Sequence, residues 1–187
     1  MSDTPSNMLQ LGTEAPYFNL LDTVTGDWAS LDDVSGPRGL VVMFICNHCP
    51  FVKHVNEEIV RVANDYRVLG FGFVAISSND AENYPQDGPK KMWQNAREQN
   101  FTFPYLYDES QETARAYEAA CTPDFYLFDD TLKLVYRGQL DDSRPGNGIP
   151  TNGRDLREAL DNLLNNRQPV AIQKPSIGCN IKWKKDQ

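Results

Sequence analysis

The sequence lacks any apolar run long enough to cross a bilayer. The longest, residues 39–46, falls far short of the ~20 residues a spanning helix needs. Positive charge is scarce too: 18 Lys and Arg against 26 Asp and Glu leave a net charge of −8, which argues against general affinity for nucleic acid or anionic membrane. The basic cluster Lys182-Trp183-Lys184-Lys185 is left as a solubilising tail or a local contact. The first seven residues have neither a positive n-region nor an apolar h-region, so no secretory signal is read and a cytoplasmic protein is expected. Four cysteines are too few for a disulfide scaffold in a chain of 187 residues. In a reducing compartment they are catalytic, metal-binding or simply buried. There is no second C-x-x-C and no H-x₃₋₅-H, and the two histidines, His48 and His54, stand six apart, so no metal is expected. Repeats are absent, and only the polar first ten residues have low complexity.

What is present alternates short apolar runs with helical patterns, the signature of an α/β domain. Residues 18–21 and 28–31 flank the turn-like Thr25-Gly26-Asp27 and predict an N-terminal hairpin. Residues 40–45 (Leu-Val-Val-Met-Phe-Ile) predict a strand buried on both faces. A helix is expected over 50–67, with Val52, Val55, Ile59, Val62, Ala63 and Tyr66 on one face and Glu57, Glu58, Arg61 and Asp65 on the other. Further along come a buried strand at 71–77, a helix at 89–99 with Met92 and Trp93 inward, and a short strand at 105–107. A helix at 112–120, a hairpin of 125–128 with 132–137, and an amphipathic helix at 155–166 complete the pattern.

The chemistry concentrates in Cys46-Asn47-His48-Cys49, between the buried strand and the amphipathic helix. A C-x-x-C there sits at a helix N-terminus, where unpaired N–H groups and the dipole favour a thiolate, the nucleophilic form of the thiol. Two intervening residues let the second thiol resolve a mixed disulfide. Cys46 is expected to be the more exposed attacking thiolate and Cys49 the resolving thiol, with His48 lowering the pKa beside Cys46. Half a zinc site, or two structural thiols without chemistry, are the competing readings.

A second landmark is Cys121-Thr122-Pro123 before the strand at 124–128. With the C-x-x-C, it makes the chain resemble the thioredoxin superfamily, whose hallmark is a cis-proline loop facing the cysteine pair. The resemblance implies that Thr122 and Pro123 line the substrate-facing loop, although a proline before a strand is also an ordinary start signal. More narrowly, residues 11–183 resemble the peroxiredoxin-like, redoxin-type (AhpC/TSA) branch. Its carriers are Ala15-Pro-Tyr-Phe-Asn-Leu, Cys46-Asn-His-Cys-Pro-Phe, Ala75-Ile-Ser-Ser-Asn, Cys121-Thr-Pro-Asp, the segment starting at Gly138 and that starting at Pro175. The peroxidase pattern P-x-x-x-T-x-x-C is not matched: aligning its cysteine with Cys49 puts Cys46 in the threonine place and Val42 in the proline place. The buried acid of thioredoxin is replaced by Leu40, leaving His48, a water or Glu57 to move the proton.

The expected fold is thioredoxin-like α/β: a central mixed sheet flanked by helices, with an N-terminal hairpin. Residues 1–10 are expected to be a flexible arm, 11–168 the redox domain and 169–187 a docked tail. The expected function is thiol–disulfide exchange on protein or small-molecule disulfides with a thiol partner. Thiol peroxidase, redox sensor and metal-binding module are the alternatives. No cofactor is implied, and either a monomer or a homodimer is compatible. Cys121 and Cys179 are additional redox candidates, pairing with each other or, for Cys179, with Cys46; both also read as packed thiols. Arg144 is either a peroxide-orienting arginine or part of a salt-bridged loop, and the turn cluster Tyr84–Pro89 carries no assigned chemistry.

Overall fold

An unbroken apolar run makes Gly39–Phe44 the middle of the fold in the computed structural model, which describes residues 3–185. In chain order the first elements are strands β1 (Asp3–Pro5), β2 (Asn19–Asp22) and β3 (Trp28–Ser30), and helix α1 (Leu31–Val34). Strand β4 (Gly39–Phe44), helix α2 (Pro50–Arg67), strand β5 (Phe71–Ser77), helix α3 (Pro89–Glu98) and strand β6 (Tyr105–Tyr107) follow. The rest comprises helix α4 (Glu112–Ala116), strands β7 (Cys121–Thr122), β8 (Asp124–Phe128) and β9 (Leu134–Gly138), helix α5 (Arg154–Leu164) and strand β10 (Ile177–Asn180).

The main sheet has seven strands in the order β3-β2-β6-β5-β4-β8-β9. It is mixed: β4, β5 and β6 run parallel, whereas β8 is antiparallel to β4 and β2 to β6. The parallel pair β4–β5 requires a crossover, which α2 supplies. Alternate residues of β4 enter two cores. Val41 and Met43 pack with Val52, Val55, Ile59 and Leu160 beneath α2 and α5. Leu40, Val42 and Phe44 pack with Phe18, Tyr117 and Tyr126 on the other face. Both faces are therefore dry, as the lack of polar alternation required. Burial of each such side chain is worth ~1.5–3 kcal/mol.

A second, three-stranded sheet, β1-β10-β7, joins the two ends of the described chain beside the cysteines. Thus residues 3–5 lie in a strand rather than in a flexible arm: Asp3 is paired with Cys179, and Ser6 N–H donates to Ser176 O at 2.9 Å. Close approach is what makes this sheet possible. A Cβ on Gly178 would lie 1.9 Å from Thr122 O, so only glycine permits β10 to lie on β7 at this register.

Three local expectations are corrected. Glu58 is buried rather than solvent-facing because Arg157 of α5 and Arg61 reach its carboxylate at 3.0 and 2.7 Å. Trp93 is 40% exposed, under the Arg97 guanidinium; Met92 and Ala96, one turn apart, take the inward face. Helix α4 stops at Ala116. Glu118 adopts φ 53°, and the Ala119 and Glu118 amides close back on Ala114 O and Arg115 O, a left-handed cap of the kind glycine usually signals.

Candidate active site

The end of β4 delivers Cys46, and Cys49 is the N-cap of α2 with Pro50 in the first turn. Proline is well placed there, where its missing N–H leaves nothing unpaired. Opposite them lies the Thr122–Pro123 peptide, which is cis. Cys46 Sγ is 3.6 Å from Thr122 Oγ1, and Cys49 in its thiol form donates to Thr122 O at 3.4 Å. The four residues Cys46, Cys49, Thr122 and Pro123 that the sequence singled out thus form one site.

Neither thiol of the pair is exposed: Cys46 is 1% exposed and Cys49 0%. The thiolate character is also reversed from expectation. Cys46 is held well above the usual thiol range, first by donating to the Cys49 sulfur, then by burial, then by the Asp87 carboxylate. Cys49 is brought down to about 5, chiefly by the hydrogen bond from Cys46, against the opposing cost of burial. The Cys179 thiol and the Val52 amide add to this stabilisation. That amide acts on the sulfur without completing a cap hydrogen bond. An anion beside Cys46 and a helix N-terminus beneath Cys49 both place the shared negative charge on Cys49.

Asp87, in the turn cluster to which no chemistry was assigned, organises the motif loop. Fully buried, it accepts from Asn47 N–H and Asn79 Nδ2, each at 2.9 Å. His48 Nδ1 lies 2.5 Å from Asp87 Oδ2, an ion-pair distance, but the contact lacks hydrogen-bond geometry. The ring stacks on Tyr84. His48 therefore faces a carboxylate, and the charge felt by Cys46 from this side is that of Asp87. Tyr105 OH donates to Asn47 Oδ1 at 2.8 Å and fixes the loop from below. Glu57 is remote from this chemistry, on the surface with Arg61.

The two further cysteines diverge. Cys121 turns its sulfur toward Pro123 O (3.8 Å) and Ser176 O (4.0 Å), and burial pushes its pKa far up. Cys179, on β10, places its sulfur 2.7 Å from that of Cys49, a partner the sequence reading did not name. Cys46, Cys49 and Cys121 are free thiols. Arg144 spends its guanidinium on Gln139 Oε1 and on the Asp141 and Ser143 carbonyls, as a loop-fixing residue does. Next to Cys121, Asp124 is a fully buried carboxyl that accepts from Tyr126 OH, and desolvation raises its pKa to about 8.

One group of donors among the described residues could hold a metal: Cys46, His48 and Asp87 have ligand atoms within 4.8 Å of one another. Three protein ligands match an open site, whereas structural zinc takes four. His54 is turned away, with Nε2 2.7 Å from Ser143 Oγ. No helix is long and apolar enough to cross a membrane among the described residues.

Comparison with known proteins agrees with this architecture. An uncharacterized conserved protein from Geobacillus kaustophilus superposes with a TM-score of 0.98 at 59% identity, covering 100% of this chain and 99% of that one. A hypothetical protein from Sinorhizobium meliloti follows at 0.95 and 45% identity, over 98% and 100%. A thiol-disulfide oxidoreductase from Bacteroides fragilis matches at 0.59 and 22% identity, over 72% of this chain and 96% of that one, a likeness of fold alone. No curated protein matches the chain. The mixed sheet flanked by helices is thus a thioredoxin-like fold, and because residues 11–137 match the AhpC/TSA family, the chain belongs to that family.

Proposed function

We propose that the protein is a thiol–disulfide oxidoreductase that cycles Cys46 and Cys49 between dithiol and disulfide. The observation that carries the reading is the convergence of both sulfurs on Thr122, beside cis Pro123, at the N-terminus of α2. Reduced, the pair holds one thiolate, on Cys49. That sulfur attacks a disulfide of the substrate, one substrate sulfur leaves as a thiolate, and a mixed disulfide remains. Cys46 then attacks Cys49, forms the internal disulfide and releases the second substrate thiol. Protein or small disulfides are the substrates, a cellular thiol is the return partner, and a cytoplasmic setting is the corresponding proposal for its location.

Reduction of hydroperoxides is the second reading, and the low pKa of Cys49 favours it, since a thiolate also attacks peroxide. Against it stand the missing Thr and Pro helpers and the engaged Arg144. Equilibration in a glutathione redox series, with peptide mapping of the products, tests the main reading. A reversible Cys46–Cys49 disulfide, absent in Cys49→Ser, is expected. Failure of that disulfide to form at any glutathione ratio would overturn it.

A further inference from the structure

We infer that Cys179 is a third redox thiol, which takes Cys49 from Cys46 by internal disulfide exchange. This rests on the redox reading of the Cys46–Cys49 pair and extends it to the tail.

Three independent features converge on the position. First, the sulfurs of Cys49 and Cys179 are 2.7 Å apart, against about 2.05 Å for a disulfide bond, so closure needs a movement of roughly 0.7 Å. Second, that placement is built rather than incidental. Cys179 pairs across the strands with Thr122, whose carbonyl contacts Cys49, and with Asp3 on its other side. Gly178 next to it brings no side chain against Thr122 O, where a Cβ would lie 1.9 Å away. Third, although burial and then the contact with Cys49 push the Cys179 thiol up to about 12 in the reduced site, the Phe51 amide, in the first turn of α2, reaches its sulfur and opposes that rise. The N-terminus of one helix therefore serves both sulfurs.

The exchange balances without an outside oxidant. Starting from the Cys46–Cys49 disulfide, the Cys179 sulfur attacks the sulfur of Cys49. The Cys49–Cys179 bond forms, the Cys46–Cys49 bond breaks, and Cys46 departs as a thiolate that takes up the proton Cys179 gave up. One disulfide and one thiol are present before and after. The largest of the effects that make Cys46 a poor leaving group, its hydrogen bond to the Cys49 thiolate, is gone in the disulfide; burial and Asp87 still oppose the charge, and the Thr122 hydroxyl, 3.6 Å from Cys46, is available to receive it. Cys46 ends the exchange free, at the side of the site where Asn47 and His48 border an open polar groove. Cys179 holds the oxidising equivalent on the tail side. One disulfide thus has two seats around Cys49.

The test is disulfide mapping of the full-length protein and two variants, oxidised by excess glutathione disulfide, quenched in acid and alkylated. Wild type is expected to yield both Cys46–Cys49 and Cys49–Cys179 peptides. Cys46→Ser should still form an intramolecular disulfide, Cys49–Cys179, with a measurable potential, whereas Cys179→Ser should hold only Cys46–Cys49. A Cys46→Ser protein that stays reduced or only glutathionylated, beside a wild type that forms Cys46–Cys49, overturns the role of Cys179 and leaves the proposed function intact. Absence of Cys46–Cys49 from wild type defeats the proposed function, and the exchange with it.

Discussion

If the reduced site stores its charge on Cys49, a single thiolate should persist in the protein well into the acid range. The shift from an ordinary 9.0 to about 5 corresponds to ~5 kcal/mol as an upper bound, because each pKa unit is worth about 1.4 kcal/mol. At about pH 7, roughly 99 in 100 molecules then carry the Cys49 thiolate, against about 1 in 100 for an unperturbed thiol. Both thiols are buried, so alkylation rates report access as much as ionisation. The better assay is the ultraviolet absorbance of thiolate, followed against pH in the reduced protein. One thiolate per chain is expected, appearing with a midpoint near 5 and vanishing in Cys49→Ser. In Cys46→Ser it should remain, with a higher midpoint if the hydroxyl donates less strongly than the thiol. The linked stability has a definite sign: a depressed folded pKa stabilises the reduced fold above the unfolded thiol value, and that contribution is lost as pH falls through about 5. A thiolate that survives Cys49→Ser, or no thiolate below the ordinary thiol range, would refute the assignment.

Three other measurements probe the surroundings of the site. Asp124, raised from 3.8 to about 8, has the opposite linkage: stability falls as pH rises between those values, because the unfolded carboxyl ionises first. Asp124→Asn should flatten that slope in urea midpoints and stabilise the fold near pH 8 by about 1–3 kcal/mol, and an unchanged slope would count against a buried neutral carboxyl. Gly178→Ala, which forces a Cβ against Thr122 O, should cost about 1–3 kcal/mol in chemical denaturation, whereas a neutral result would mean that β10 does not sit as described. Protein equilibrated with zinc and dialysed without chelator should retain less than one ion per chain, because Cys46, held protonated beside Cys49, makes a poor ligand. One tightly held zinc, lost in Asp87→Asn, would favour the metal-binding alternative.

Residues whose pattern and packing agree were the legible ones. The apolar run of β4 and the seam of α2 declare themselves because the sheet buries both sides of one and a single stripe of the other. The C-x-x-C and the Thr-Pro step were likewise readable, since each owes its place to a neighbouring element. What escaped depends on distant partners. Strands β1 and β10 are three and four residues long and form by pairing with distant segments, β1 with β10 and β10 also with β7. Asp87 carries no motif of its own, and only the fold brings it under Asn47 and His48. Glu58 reads as surface until Arg157, 99 positions away, covers it. That Cys179 packs against Cys49 was not legible for the same reason: register within β10, where Gly178 permits the close approach to β7, chooses it.

The placement of β10 also bears on which substrates can enter. A bound peptide commonly joins a receptor as an added strand, and here the edge beside Thr122 is already taken by the chain's own segment 177–180. A tethered strand competes at an effective concentration that for short flexible tethers is of millimolar order. An extended polypeptide must therefore outbid the resident strand before its disulfide reaches Cys49, while a compact disulfide entering from the Asn47–His48 side faces no such rival. Under the proposed function, selectivity between the two would follow from occupancy of that edge, with no need for a specificity pocket.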